Sequence, residues 1–322
     1  MIRTVLGLYI HDAQHASIFH HDPTLRHDAI QLPAAASNAL FDANTAAQWA
    51  GLVKELSPRP VKLSTHIHAH QPQHTCNRPL EAELACKNSR FSCYVLLHGI
   101  GASVQESNIS GPMTSANKAK FTDALICWYH AYGRAMPENE IDPCSLMILY
   151  HEIFMQLLVD FNELERAIGR DGPDEAAYAL EYIRPWSSSL EAKRCVIHAS
   201  LIHRQAGLMR IDAEPATHVP WSMFLAALVW YCYIEFSEEQ PDTSQDSQLL
   251  LDLLEVKLFN INPYQYLAET SVPKSGKPIL HEASPLGGLT DMLPRMGHWG
   301  ISKRLARILR LLIYGEQYSE IV

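Results

Sequence analysis

Positive charge is scarce in this sequence. Its 322 residues carry 26 Lys and Arg against 35 Asp and Glu, a formal net charge of −9 with the 17 His neutral. A field of that sign does not draw nucleic acid to the whole surface, although a local basic patch still can. Glycine is sparse, at 15 residues, which disfavours turn-rich sheet. No segment alternates apolar and polar residues at period two, and no internal repeat is visible, so neither a half-buried sheet nor a solenoid is signalled. The 7 cysteines are an odd number at wide spacing, without a CxxC pair. They read as reduced thiols packing as small hydrophobes in an intracellular chain.

Long apolar runs are missing too. Val5 to Ile10 resembles the core of a signal peptide, but the run ends at His11-Asp12 and no small-residue cleavage site follows. The longest run, Val219 to Ile234 between His218 and Glu235, is short for a bilayer span. It reads as a core helix, and no membrane association is expected.

What is present is the composition of a folded chain, 47% hydrophobic and 19% charged. The length fits two domains or one large helical domain. Residues 1–75 are weakly patterned. Thr4 to Ile18 and Ala34 to Leu56 can each hold a helix, with Pro23, Pro33, Pro58 and Pro60 as breaks. Residues 76–322 read as a helical domain. Arg78 to Val104 is helical until Gly99 and Gly101 weaken it. Phe121, Leu125, Trp128 and Tyr132 then mark one apolar face.

The clearest helix is predicted from Pro143 to Ile168. Asp142 is its N-cap, Gly169 its C′ glycine, and Leu146, Leu149, Tyr150, Ile153, Leu157, Phe161, Leu164 and Ile168 its buried stripe. Ser188-Ser189-Leu190-Glu191 reads as a capping box for a second helix, with Cys195, Ala199, Ile202, Ala206 and Met209 along one face. The helix begun by Pro220 is apolar all round and belongs at the centre of a bundle. Glu235 to Asp246 is an acidic loop, Leu249 to Leu258 a helix, Thr270 to Leu289 a connector and Ile301 to Tyr314 a closing amphipathic helix. The predicted class is all-α, an irregular multi-helix bundle with a fully apolar central helix.

Candidate chemistry is thin. His66, His68, His70, His74 and Cys76, with Cys86, Cys93 and His98 downstream, are the densest cluster of metal-capable groups. His70 and His74 have the spacing of a zinc-finger pair, but no close cysteine pair precedes them. His66, His70, His74 and Cys76 therefore remain weak metal candidates beside the plainer reading of a polar loop. His151-Glu152 opens an HExxH match that fails at Met155. Asp160 and Glu163 have the spacing a diphosphate-binding helix would use, yet no second acidic set faces them, and acids decorating a helix are the plainer reading. No GxSxG elbow exists. Ser275-Gly276-Lys277 lacks the first glycine of a Walker loop, since Ser271 stands there. Gly99-Ile100-Gly101 has no preceding strand. Lys303, Arg304, Arg307 and Arg310 form a basic face on the last helix, fit for an acidic partner, for nuclear import or merely for solvation.

A resemblance runs from Phe91 to Phe236. It is carried by Leu97-His98-Gly99-Ile100, Trp128-Tyr129, Leu157-Leu158-Val159-Asp160-Phe161, and Leu164 through Gly172. It continues in Lys193-Arg194-Cys195 with His198-Ala199, in Ala213 through Pro220, and in Val229-Trp230-Tyr231-Cys232-Tyr233. In this order the segments resemble the regulatory domain (middle homology region) of fungal-specific transcription factors. The similar branch is the one whose DNA-binding part is an N-terminal two-Cys two-His zinc finger. The resemblance implies an all-helical, nuclear, non-enzymatic domain that modulates RNA polymerase II transcription through contacts with the transcriptional machinery or with regulatory proteins. It carries over no catalytic and no cofactor-binding residue, places zinc only in the DNA-binding module, and leaves a homodimer open. These 322 residues supply no such finger, so DNA is expected to be met only indirectly. A fragment, a gene model lacking its first exons, and a regulator acting only through partners all fit that departure. The alternative reading is a stand-alone all-α enzyme or small-molecule binder of secondary metabolism, with Asp160 and Glu163 facing a pocket.

Overall fold

The computed structural model describes residues 2–30, 32, 35, 38–56, 90–133, 143–210, 214–237, 244–268, 284–296 and 300–315. Among them the chain is helical with no strand, the predicted all-α class. It divides into two compact units, Met1–Glu140 and Ile141–Val322. The expected boundary at 75/76 lies outside the described residues.

The first unit contains α1 (Ile2–Phe19), α2 (Asn38–Phe41), α3 (Ala46–Leu56), α4 (Arg90–Ile109) and α5 (Ser115–Trp128), the last running into a π turn at Tyr129–Gly133. In α1, Leu6, Tyr9, Ile10, Ala13 and Ala16 recur at helical spacing and are buried, and this helix packs on α4. Tyr9 Oη and His27 Nδ1 meet at 2.7 Å in the interior. Thr114 caps α5 by accepting from the Asn117 N–H at 3.2 Å, and the Trp128 indole donates to the Cys93 carbonyl at 3.1 Å. The helix predicted to end near Val104 continues to Ile109. Gly99 and Gly101 do not interrupt it, because Val95, Leu96, Leu97, Ile100 and Val104 around them are buried and packing outweighs a propensity cost of about 1 kcal/mol per glycine.

The second unit contains α6 (Pro143–Leu158), α7 (Phe161–Ala167), α8 (Pro173–Ser187), α9 (Leu190–Gly207) and α10 (Val219–Phe236). It continues with α11 (Ser244–Asp252), α12 (Leu254–Phe259), α13 (Pro263–Ala268), α14 (Pro285–Met292) and α15 (Gly300–Tyr314). The all-apolar helix is α10. Every residue from Val219 to Trp230 is buried, and α6, α7, α8, α9, α14 and α15 all pack against it. Its 18 residues, at mean hydropathy 1.3, are long and apolar enough to cross a membrane, yet 72% of that span is buried inside the unit.

Several elements of the second unit depart from the expectation. The single helix from 143 to 168 is broken at Val159-Asp160, and its two parts meet at 79°. Asp160 turns out of the helix and accepts from the Asn162 N–H at 2.9 Å as the N-cap of α7, a local bond that competes with helix continuation. Leu157, Leu158, Val159, Phe161 and Leu164 are buried on both sides of the bend. Gly169 closes α7 as expected, at φ 97°. Its N–H bonds the Arg166 carbonyl and the next N–H, of Arg170, bonds that of Glu165, the paired closure that requires a left-handed residue.

The capping box is one residue out. Ser189, not Ser188, accepts from the Ala192 N–H at 3.2 Å, so Glu191 falls at N2 where it cannot reach back. Ser188 is the C-cap of α8. The helix expected over 249–258 is split by Leu253, whose backbone is extended at ψ 135°. The expected connector ends early, because Ser284 caps α14 by accepting from the Gly287 N–H at 3.1 Å. A Cβ on Gly288 would stand 2.4 Å from His203 Nε2, so the close approach of α14 to α9 uses the missing side chain.

Helices α11 to α13 cover the outer side of α9. Ile197 and Leu201 form a second small core there with Leu250 and Val256, flanked by Phe259, Ile261 and Tyr264. Arg194 Nε reaches the buried Glu255 carboxylate at 2.6 Å beside it.

Candidate functional site

The polar groups that converge inside the second unit lie on α6, α9 and α10. His151 and Glu152 are consecutive on α6, so they leave the helix about 100° apart and face different neighbours. His151 faces α9. Its Nδ1 lies 3.1 Å from Nδ1 of His198, and both rings are buried. The His198 ring stacks on Phe154 with centroids 4.5 Å apart and 12° between planes, and Phe259 lies 5.1 Å from the His151 ring. Two imidazole nitrogens at this distance share one proton, so one donates and the other accepts. Burial holds both imidazoles well below the usual histidine range, His198 down to about 3. The Arg194 guanidinium adds to the effect on His198, and His198 adds to that on His151.

Glu152 faces α10. Its Oε2 is hydrogen-bonded to Ser222, and its Oε1 accepts from Gln156 Nε2 at 2.9 Å. Ser222 Oγ also lies 3.1 Å from the His218 carbonyl. Burial pushes the Glu152 carboxyl up to about 7, against the Ser222 and Gln156 hydrogen bonds that pull it down. In the protonated form the set closes: the carboxyl O–H donates to Ser222 Oγ, Ser222 donates to the His218 carbonyl, and Gln156 donates to the remaining carboxyl oxygen. The His218 ring in turn donates from Nε2 to the Ser145 carbonyl at 2.8 Å, joining the N-terminal ends of α6 and α10. These groups satisfy one another and hold helices together.

The acids singled out in the sequence are elsewhere. Asp160 is exposed. It caps α7, and its own N–H is accepted by Tyr182 Oη at 3.0 Å. Glu163, in the first turn of α7, pairs with Arg166 at 2.6 Å, and Arg166 also pairs with Glu175. Acids at a helix N-terminus complement its dipole. Asp171 pairs with Arg170 at 2.8 Å, and Arg170 reaches the buried Glu165 at 2.9 Å. Asp174 and Glu175 stand in the first turn of α8. Asp160 thus caps a helix, Glu163, Glu165, Asp171 and Glu175 are ion-paired, and Asp174 complements the dipole of α8.

The weak metal candidates His66, His70, His74 and Cys76 lie outside the described residues, as do His68 and Cys86. Downstream of them, Cys93 is buried. His98 is buried with Tyr94 edge-on at 4.5 Å and Gln14 Nε2 at 3.4 Å. Among the described residues no three His, Cys, Asp or Glu side chains come together as metal ligands. On α15, Lys303, Arg304 and Arg307 are exposed and Arg310 is half-buried.

The His151–His198 and Glu152–Ser222 pairs escape sequence reasoning. Their one signal is a pair of titratable residues inside an otherwise apolar helix, with a histidine on the apolar face of α9 and a serine in α10. Comparison with known proteins finds no matching family model, no matching curated protein and no matching solved structure.

Proposed function

We propose that the chain is a regulatory domain that modulates transcription by RNA polymerase II through protein contacts, in the manner of the fungal-specific transcription factor regulatory domain that residues 91–236 resemble. It works in the nucleus and meets DNA only through a partner or an associated DNA-binding module.

One observation carries this over the rival reading of a secondary-metabolism enzyme or small-molecule binder. The rival calls for Asp160 and Glu163 to face a pocket, whereas Asp160 is exposed as a helix cap and Glu163 is ion-paired to Arg166. His151 with His198 and Glu152 with Ser222 bind one another across helix contacts, the kind of pairing that holds a scaffold together, which supports the regulatory reading. The resemblance itself rests on sequence segments between Phe91 and Phe236.

Chromatin immunoprecipitation of the tagged full chain in its source organism tests the proposal. Enrichment at a set of promoters is expected. A uniform background from a folded, expressed chain would overturn it.

A further inference from the structure

Helix α15 reads GISKRLARILRLLIY and contains four cations and no acid. One side is committed to the unit: Ser302, Leu305, Ala306 and Leu309 are buried, and the helix packs on α10 and α14. Arg310, at the edge, reaches Asp291 at 3.7 Å. The other side is open. Ile301, Ile308, Leu311 and Tyr314 are 39% to 47% exposed. Lys303, Arg304 and Arg307 are exposed among them and have no acidic partner among the described residues. Ile301, Arg304, Ile308 and Leu311 follow i, i+3, i+7, i+10 in one row, and Lys303, Arg307 and Tyr314 form the adjacent row.

We propose that this face of α15 docks an acidic amphipathic helix of a partner protein. The partner's apolar side chains seat on Ile301, Ile308 and Leu311, and its carboxylates pair with Lys303, Arg304 and Arg307. Charge complementarity selects this occupant. A second copy meeting α15 against α15 about a two-fold axis sets the same cations against each other. A nucleic acid has little use for a row of aliphatic side chains, since its backbone asks for cations and its bases for aromatic stacking, and the face offers Tyr314 alone. A bilayer surface needs a continuous apolar face sunk about 5–10 Å, whereas the continuous apolar face of α15 is turned into the unit and the outward row is interrupted by Arg304. An acidic helix with apolar anchors fits both components, with the anchors giving affinity and the charges giving register and rate.

The proposal deepens the regulatory reading by giving the partner's chemistry, and rests on that reading for its place in transcription. Its binding test does not. Fluorescence anisotropy of the full chain is measured with a labelled Glu/Ala/Leu peptide of about 18 residues, long enough to form a helix, its leucines at i, i+3, i+7 spacing. The controls are the same composition scrambled, phosphatidylcholine–phosphatidylserine vesicles and a short DNA duplex.

The striped peptide is expected to bind about tenfold more tightly than the scrambled one, with binding weakening as salt rises. Lys303→Gln/Arg304→Gln/Arg307→Gln removes the charge attraction with unchanged melting temperature, since all three are exposed. Ile308→Ala/Leu311→Ala removes the preference for the striped sequence; these side chains are 40% and 39% exposed, so a modest fall in melting temperature is expected and binding is compared well below it. Equal binding of the scrambled peptide, indifference to both variants, or tighter binding to vesicles or duplex overturns the proposal. If peptide binding holds while promoter enrichment fails, the docking face stands and the transcriptional reading falls. The reverse result removes the docking face alone.

Discussion

His151 of α6 and His198 of α9 meet Nδ1 to Nδ1 at 3.1 Å inside the second unit, closed in by Phe154 and Phe259. Their shared proton is the only one this contact tolerates, and that makes the α6–α9 contact sensitive to acid.

The folded-state pKa values of both imidazoles lie below the unfolded value of about 6.5. Between the two values the unfolded chain binds more protons, so stability falls as pH drops below about 6.5. For His198, held down to about 3, the loss by pH 4 is on the order of 3 kcal/mol. Denaturant midpoints measured from pH 7 to pH 4 should fall steeply for the native chain and more gently for His151→Phe/His198→Phe. Parallel curves would show that protonation of this pair does not drive the loss.

Glu152 has the opposite sign. Its folded-state pKa is raised to about 7, so the folded chain keeps a proton that the unfolded chain loses near pH 4.5, and stability declines as pH rises between those values. Glu152→Gln preserves the donor to Ser222 and the acceptor for Gln156 while removing the charge. It should stabilise the chain at pH 8 by about 1–3 kcal/mol and have little effect at pH 4. Destabilisation at pH 8 would mean that the ionised carboxylate is the native partner of Ser222.

Asp160 is assigned to capping. Asp160→Ala should cost about 1 kcal/mol, and Asp160→Asn, which keeps the acceptor oxygen for the Asn162 N–H, should cost a few tenths. Equal losses for both variants in chemical denaturation would point to a role for the charge itself.

The core assignment is tested by introducing charge. Leu157 on α6 and Trp230 on α10 are 2% and 0% exposed. Aspartate at either position buries an unpaired carboxylate and removes a large apolar group, a loss of several kcal/mol that should unfold the unit. Leu208→Asp, at a position 64% exposed, serves as the control and should melt like the native chain. An unchanged melting temperature for Leu157→Asp and Trp230→Asp would refute this core.

The legible parts of the fold were those decided within one helix. An all-apolar α10 has no side to give to solvent, and Gly169 supplies a left-handed residue where α7 must stop. The break at Val159-Asp160 was hidden, because Leu157, Phe161 and Leu164 keep helical spacing across it and only the capping bond of Asp160 separates a bent pair from one long helix. Ser188 and Ser189 offered two caps one residue apart, and the chain uses one to close α8 and the other to open α9. The buried pairs were hidden for a different reason. His151 meets a histidine 47 residues away and Glu152 a serine 70 residues away, so each pairing is set by how whole helices cross. Periodicity shows that a helix has a buried face but not which residue of another helix it will meet.

The proposed function is regulation of transcription through the proteins this chain binds. The most direct measurement tethers the full chain to a heterologous DNA-binding domain upstream of a reporter promoter in a fungal host. A several-fold change in reporter transcript is expected with the native chain, and its loss with Trp230→Asp. A promoter-bound, folded fusion that leaves transcript unchanged would contradict it.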